Sequence, residues 1–443
     1  MAAAGECASS WVPPPLPDCG DAPGSVLLDL RCYTADLRNA TTAAGFTGRG
    51  LPIQVTFRAA RPPALSHLCV HCPGAGADFP PPPPPPPPRL GAFSTHAGLL
   101  LLRVPAGPAA LSCATTRYWD YFVYRAHPPR TSTTPRPPSS AAAGYVVAAL
   151  RNRLPRRDPR GGALIVTEFD LHLYRSSHAD EGWVTKWLAV EEPVRDALVP
   201  LPRAVADDML YHETAKTVAV GGERGTVAWV DLWRGVILCD VLHERPSLRD
   251  VPLPLPARGN WDRLLQECNP SYIRDVTVSR DKGSIKYVEM EIRPSRVVKV
   301  IPDSYLEWVR GGGSSKIIRG GWKATAWSMP IPVGSWEDWR RECDVDVDDL
   351  IVDASDKPLL SNLQGGDTEG ILRSLSVAYP TISMDDDAVY LLSKVDNLEV
   401  VVAVDVRKKT LRGVGELDRE KSFVFMPSYC SSEISSYLKK TSD

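Results

Sequence analysis

Short stretches in which apolar and polar residues alternate recur along most of this chain. Leu51-Pro-Ile-Gln-Val-Thr-Phe57 alternates in this way, and Ala163–Tyr174 is joined to Trp183–Val190 by a polar segment. Tyr272–Ile292 repeats the form around a turn at Asp281-Lys-Gly283. A period of two residues is typical of strands that bury one face, and polar segments between such strands indicate hairpins. The pattern therefore predicts an all-β protein.

The most conspicuous of these stretches is Val227–Leu242, which predicts a β-hairpin with its turn at Arg234-Gly235. Trp229, Asp231 and Trp233 share one parity, so in an extended chain their side chains fall on one face. Together with Arg234 they form a candidate structural or binding face. A packing role is the favoured interpretation, because Trp buries a large area and Asp231 with Arg234 can satisfy loop amides. The alternative is that this face lines a ligand surface.

The Asp-turn-strand form of this hairpin recurs after Phe169 and after Val404, which indicates a degenerate internal repeat. Meandering units of roughly 40–50 residues with Trp or Asp signatures are typical of β-propellers. We therefore predict a propeller-like array of antiparallel meander sheets, with five to seven blades, Pro-rich loops and few short helices. The helix-compatible stretches are Gly334–Cys343, with Ser335 as N-cap, Asn260–Glu267 and Ser431–Leu438.

Proline is the compositional outlier, with 42 residues, roughly twice the average usage. Residues 1–24 are predicted to be disordered, 25–430 to form the propeller-like domain with Pro-rich loops at 72–90 and 127–143, and 431–443 to form a C-terminal tail. Pro80–Pro88 is an unbroken run of proline that favours polyproline II. It is either a docking peptide for an aromatic-lined groove or a repeat expansion in a tolerant surface loop.

Charge and cysteine usage limit the compartment and the partners. The formal net charge of -2 gives no electrostatic footprint for nucleic acid or an anionic membrane. The longest apolar run, near Leu99–Leu102, is too short to span a bilayer. The N-terminus lacks the features of a secretory signal, and the ten scattered cysteines suggest reduced thiols in a cytoplasmic or nuclear protein. The arginines of 151–160 are either a nuclear-import patch or a solvated loop.

Catalytic and metal signatures are mostly missing, so no catalytic, cofactor-binding or metal-binding residue is assigned. The sequence has no P-loop, no G-x-S-x-G elbow and no H-E-x-x-H. His67-Leu-Cys-Val-His-Cys72 places two His and two Cys within six residues, where an extended chain points alternate residues apart. Asp344–Asp349 resembles the start of an EF-hand loop, but it lacks the Gly and the final Glu that calcium coordination requires.

Trp229-Val-Asp-Leu-Trp-Arg-Gly-Val-Ile-Leu-Cys-Asp-Val241 resembles the hallmark segment of a plant family that is expanded in grasses and defined only as domain of unknown function 1618. Leu248-Arg-Asp-Val-Pro-Leu-Pro254 resembles the family's second element, and the resemblance is strongest over about 227–370. The family has no established activity to transfer. Its members are similar to the propeller halves of plant F-box proteins, although no F-box is visible here.

The leading functional hypothesis is a non-catalytic intracellular interaction module that holds an unidentified protein partner. A propeller places variable loops on a rigid frame, which suits binding. The alternative is an enzyme, a hydrolase or glycan-active protein, with an acidic site at the propeller channel. Asp231, Asp240 and Asp385 would be its carboxylates, and glycoside chemistry would require a pair about 5–10 Å apart.

Overall fold

A computed structural model of the protein describes residues 13, 15–16, 23–73, 91–105, 119–126, 144–158, 164–195, 211–261, 269–300, 306, 309, 314–318, 320–352, 372, 375–395, 398–417 and 429–438. The predicted disordered segment 1–24 lies largely outside these residues. The predicted Pro-rich loop 127–143 lies wholly outside them, and of the loop 72–90 only Cys72 and Pro73 are described.

Six small, mostly antiparallel sheets form a propeller-like ring, which confirms the predicted fold class and lies within the predicted range of five to seven blades. In chain order, sheet 1 contains β1 (Val26–Thr34), β2 (Ala43–Phe46), β3 (Pro52–Arg58) and β4 (Leu65–His71), and sheet 2 contains β5 (Gly91–His96), β6 (Leu99–Pro105) and β7 (Trp119–Arg125). A short antiparallel pairing of β1 with β5, at Arg31 and Gly91, joins these two sheets. Sheet 3 is formed by three strands: β8 (Val146–Asn152), β11 (Glu168–Arg175) and β12 (Trp183–Ala189). Between β8 and β11 along the chain, β9 (Arg156–Arg157) and β10 (Leu164–Ile165) form a separate two-stranded sheet.

The second half of the ring follows the meander that the sequence predicts. Sheet 4 contains β13 (Lys216–Gly221), β14 (Thr226–Asp231), β15 (Gly235–Asp240) and β16 (Leu248–Pro252). Sheet 5 is formed by β17 (Arg274–Val278), β18 (Ser284–Ile292), β21 (Trp322–Pro330) and β22 (Arg340–Asp346). Between β18 and β21 along the chain, β19 (Arg296–Val300) and β20 (Ser314–Ile318) form a separate two-stranded sheet. Sheet 6 contains β23 (Val377–Ile382), β24 (Ala388–Val395), β25 (Leu398–Asp405) and β26 (Thr410–Leu417), and the chain ends its described strands with β27 (Tyr429–Ser432).

Helical structure among the fully described elements is limited to short 3₁₀ helices: Ser176–Glu181, Arg258–Asn260, Pro270–Tyr272, Trp336–Asp338, Val347–Asp349 and Ile434–Tyr437. The predicted helix Gly334–Cys343 is therefore wrong beyond its first turn. Ser335 does cap that turn and forms a capping box with Asp338. The chain becomes strand β22 at Arg340, because alternate residues from Cys343 onward can pack on β21. Most of the predicted helix Asn260–Glu267 lies outside the described residues.

Apolar clusters between neighbouring sheets hold the ring together. The five clusters join sheets 1 and 2, 3 and 4, 4 and 5, 5 and 6, and 6 and 1. Sheet 4 shows the reason for the near-continuous apolar run of Val227–Leu242: Ala228 and Val230 face sheet 5, whereas Trp229 and Ile237 face sheet 3. A strand that is buried on both faces has no polar side to alternate with.

The C-terminal strand closes the ring. β27 pairs antiparallel with β1, from Val26 with Ser432 to Asp29 with Tyr429, while the other edge of β1 pairs parallel with β4. The segment predicted as a C-terminal tail begins inside this strand, and Ile434 is completely buried in the cluster between sheets 1 and 2. The first and last described strands of the chain thus share one sheet.

Candidate functional site

The hairpin that the sequence singles out is confirmed as β14 and β15, joined by a turn at Leu232–Arg234. The turn ends one residue earlier than predicted, because Gly235 already pairs with Asp231 across the hairpin. A Cβ at Gly235 would lie 2.5 Å from the carbonyl oxygen of Val251, so only glycine lets β16 approach this closely.

The four residues of the candidate face are all buried, with side chains that point into different interfaces. Trp229 packs between sheets 3 and 4, and Trp233 packs in the cluster of sheets 5 and 6. Strand β14 ends at Asp231, so the two-residue period does not extend to Trp233 and the single common face predicted from the sequence does not form. Asp231 accepts hydrogen bonds from the backbone N–H of Trp233 at 2.8 Å and of Glu213 at 3.1 Å. This arrangement favours the packing interpretation.

A buried charge network surrounds Asp231, and most of its members escaped sequence reasoning. The Arg195 Nε donates to Asp250 Oδ1 at 2.6 Å, and the hydroxyl of Tyr211 donates to Asp250 Oδ2 at the same distance. Asp231 forms an ion pair with Arg234 at 3.2 Å and lies 3.9 Å from Arg195. Asp250 belongs to the second family-like element, Leu248–Pro254, so this network connects that element to the hairpin. Arg195 and Tyr211 are 55 and 39 residues away from Asp250 in the sequence, and no spacing signal predicts these contacts.

His212 belongs to the same network. Its Nδ1 lies 2.9 Å from a guanidinium nitrogen of Arg195 and therefore accepts a hydrogen bond, because a guanidinium can only donate. Burial, reinforced by the positive charges of Arg195 and Arg234, lowers the pKa of His212 well below its usual value. The imidazole is therefore neutral in the folded protein at neutral pH.

The carboxylates named for the enzyme alternative do not form one set. Asp231 and Asp240 lie at opposite ends of the same hairpin, which places them about 17 Å apart at 3.4 Å per residue. Asp240 instead accepts a hydrogen bond from Thr226 at 2.6 Å. Asp385 lies on the turn between β23 and β24, where it pairs with Arg280 at 2.9 Å. Asp231 and Asp240 therefore do not form a pair at the separation of about 5–10 Å that glycoside chemistry requires.

The two metal-like segments take part in ordinary packing and pairing. His67, Cys69 and His71 lie on β4, where burial lowers the pKa of His67 to about 4 and raises the pKa of Cys69 to about 11. In the described residues, no three His, Cys, Asp or Glu side chains converge as metal ligands would. The acidic run 344–349 is neutralised by basic side chains, such as Lys323 on Asp344 at 2.9 Å and Lys409 on Asp349 at 3.0 Å.

A central cavity of about 590 Å³ lies where strands of the ring converge, within the roughly 300–1,000 Å³ of small-molecule sites. Its walls come from β5, β13, β17, β23 and β27. Two ion pairs occupy it, Lys216 with Asp275 at 2.7 Å and Lys282 with Glu433 at 2.7 Å. Each pair joins two different sheets, so these charges contribute to ring closure and are already compensated.

A second candidate binding surface lies on the face of sheet 3 that points away from sheet 4. Three strands present three side-chain rows across this face, which the strand register defines: Val147, Tyr174 and Trp183; Ala149, His172 and Thr185; Arg151, Asp170 and Trp187. In the middle row, Ala149 is smaller than its neighbours Val147 and Arg151 on β8, and Thr185 is smaller than its neighbours Trp183 and Trp187 on β12, so the two indoles flank a smaller side chain. We call these nine residues the aromatic groove.

The tryptophans of the aromatic groove are strongly exposed. Trp183 is 56% and Trp187 57% accessible, whereas Phe169, Leu171 and Leu173 on the opposite face of the sheet are buried against sheet 4. Trp183 packs on Tyr174 with 5.7 Å between ring centroids. The sequence shows that Trp183 and Trp187 share a parity, but both faces of β12 carry apolar residues. Which face is covered depends on the neighbouring sheet and cannot be read from the strand alone.

Within the described part of the chain, no helix is both long and apolar enough to cross a membrane.

No curated protein matches the sequence. A solved chain from a structural and mechanistic analysis of two prolyl endopeptidases aligns over 89% of this chain and 43% of its own length, with 7% identity and a TM-score of 0.20. The present chain therefore spans less than half of that protein, and so low a score carries no argument. Residues 229–390, which contain most of the hairpin and the whole second element, match the model of the family described as protein of unknown function (DUF1618).

Proposed function

We propose that the protein is a non-catalytic, intracellular protein-interaction module whose partner binds in the aromatic groove. The observation that carries this proposal is the exposure of Trp183 and Trp187, each more than half accessible on one face of a rigid sheet. Exposed Trp on a preformed surface is costly to hydrate, and Trp, Tyr and Arg dominate the binding energy of protein interfaces.

The opposite face of sheet 3 supplies the rigidity that such a surface needs. Phe169, Leu171 and Leu173 pack against sheet 4, and β11 is paired with both of its neighbours along its whole length. The backbone that carries the tryptophans therefore loses little conformational entropy when a partner covers them. The resemblance to propeller proteins associated with F-boxes agrees with a binding role.

An intracellular site of action, in the cytoplasm, the nucleus or both, is part of the proposal. The described cysteines, Cys32, Cys69, Cys72, Cys239, Cys343 and Cys430, are all free thiols. Burial raises the pKa of Cys343 and Cys430 to about 11, so these groups are protonated and unreactive at neutral pH. Free, buried thiols are what a reducing compartment permits.

Affinity capture with the full chain tests the proposal. The tagged protein and its Trp183→Ala/Trp187→Ala variant are compared in extracts of the source organism, with Trp336→Ala as control because Trp336 is 37% exposed elsewhere. We expect partners that are retained by the wild type and by the control and are lost with the double variant. Identical captured sets for all three proteins would refute the groove as the binding surface.

A further inference from the structure

Resting on this proposed function, we propose that the aromatic groove binds a proline-rich segment of the partner in the polyproline II conformation, with an acidic residue placed beside Arg151.

The dimensions of the groove fit one turn of such a segment. Its walls, the rows of Trp183 and of Trp187, are four residues apart along β12, or about 13 Å between backbones. Its length across three strands is about 10 Å. A polyproline II helix rises about 3.1 Å per residue and has three residues per turn, so one turn of about 9 Å spans the sheet. Aromatic walls are the surfaces that proline rings prefer.

The hydrogen-bonding groups of the groove match those of the same ligand. Polyproline II has no internal hydrogen bonds, so its carbonyls are free to accept. The indole N–H of Trp183 forms no hydrogen bond within the described part of the chain and can donate to such a carbonyl. Arg156 and, to a smaller extent, the indole of Trp187 lower the pKa of the Glu168 carboxyl, so this indole lies next to a carboxylate. His172 bonds to Thr185 Oγ1 at 2.9 Å and holds the floor in place.

The charges along the row of Trp187 indicate that the ligand carries an acidic residue. In the row of Trp187, Asp170 is neutralised by Arg153 at 2.8 Å. Arg151, which lies opposite Asp170 on β8, is exposed and has no ion-pair partner among the described residues. One end of this row therefore carries an uncompensated positive charge, and a carboxylate on the bound segment would pair with it.

Addition of a partner strand to the edge of β12 is the competing mode. The end of β12 is already occupied: Lys186 donates to the carbonyl of Glu244 at 2.9 Å, and Val190 forms a bridge with Leu248. Because proline lacks the N–H that a strand must donate, the two modes predict opposite responses to proline content.

A peptide with the sequence of residues 78–89, Asp-Phe followed by nine Pro and Arg, serves as the probe for binding to the full chain. We expect saturable binding by fluorescence anisotropy, at least tenfold weaker for Trp183→Ala/Trp187→Ala and unchanged for Trp336→Ala. Arg151→Ala should weaken binding severalfold. Replacing the peptide's Asp by Asn should weaken binding to the wild type by a similar factor and have no further effect on Arg151→Ala, as a direct pair requires.

Several outcomes would overturn the inference. These are no binding of the peptide, tighter binding of a Val/Thr peptide of equal length, and binding that is indifferent to both tryptophans. Binding seen only after Pro80–Pro88 is replaced by Gly and Ser would assign the groove to the chain's own run, against a partner. Captured proteins that depend on Trp183 and Trp187 in the absence of peptide binding would overturn the proline-rich ligand and leave the proposed function standing.

Discussion

Removing the carboxylate of Asp250 is the sharpest test of the buried charge network. Both side chains of the Arg195–Asp250 pair are fully inaccessible, and among the described residues the next acidic side chain that pairs with Arg195 is Asp231, at 3.9 Å. Asp250 also accepts the backbone N–H groups of Val194 at 3.2 Å and of Arg195 at 3.1 Å. Asp250→Ala therefore leaves the buried guanidinium without its nearest carboxylate and two partly buried amides without their acceptor.

The expected loss follows from these contacts. Breaking a buried ion pair by removing one partner costs about 3–5 kcal/mol, because the remaining charge stays desolvated. Each orphaned amide adds up to about 1–3 kcal/mol where water cannot reach it. Asp231 offsets part of the loss, since it already interacts with Arg195 and can approach it further. We therefore expect Asp250→Ala to reduce the free energy of unfolding by about 4–6 kcal/mol.

Urea unfolding followed by circular dichroism measures the effect. Arg224→Ala is the control, because the ion pair of Arg224 with Asp240 in the same sheet spans 3.6 Å with a 70% exposed arginine, and exposed pairs contribute less than about 1 kcal/mol. The double change Asp250→Leu/Arg195→Met should recover part of the loss, since no lone charge remains. A loss below about 1 kcal/mol for Asp250→Ala would refute the reasoning.

Three further predictions concern stability. Trp233→Ala should cost about 3–5 kcal/mol, because this side chain is buried in the cluster of sheets 5 and 6, whereas exposed Trp183→Ala should cost less than about 1 kcal/mol; equal losses in urea unfolding would contradict the assignment. Burial lowers the pKa of His67 to about 4, whereas the unfolded value is ~6.5. Between these two pH values the unfolded state binds more protons than the folded state, so the free energy of unfolding decreases as the pH is lowered. The loss from His67 should reach about 2 kcal/mol at pH 5, and a His67→Phe variant with an unchanged slope between pH 7.5 and 5 would count against it. Ile434→Ala should cost about 2–5 kcal/mol by thermal or urea unfolding, and a negligible effect would mean that this segment is the tail that the sequence suggested.

The fold was largely predictable because its signals are local. The alternation of apolar and polar residues and the residues of each turn, such as Asp281-Lys-Gly283, determine the individual hairpins. Successive hairpins that share strands then determine the meander. Ring closure was not predictable in this way. β27 pairs with β1 across almost the whole chain, and a short strand such as Tyr429-Cys-Ser-Ser432 carries no sign of its partner. The parallel pairing of β1 with β4 departs from the meander for the same reason.

The candidate site was harder to predict because it depends on which surfaces the neighbouring sheets cover. The two tryptophans of the hairpin, Trp229 and Trp233, attracted attention by their spacing, yet both lie in apolar interfaces between sheets. Trp183 and Trp187 have an equally regular spacing in a similar strand, and they are exposed because sheet 4 covers the other face of sheet 3. The residue type and the periodicity are the same in both cases. Burial by an adjacent sheet, a property of the whole ring, decides whether a tryptophan stabilises the fold or is available to a partner.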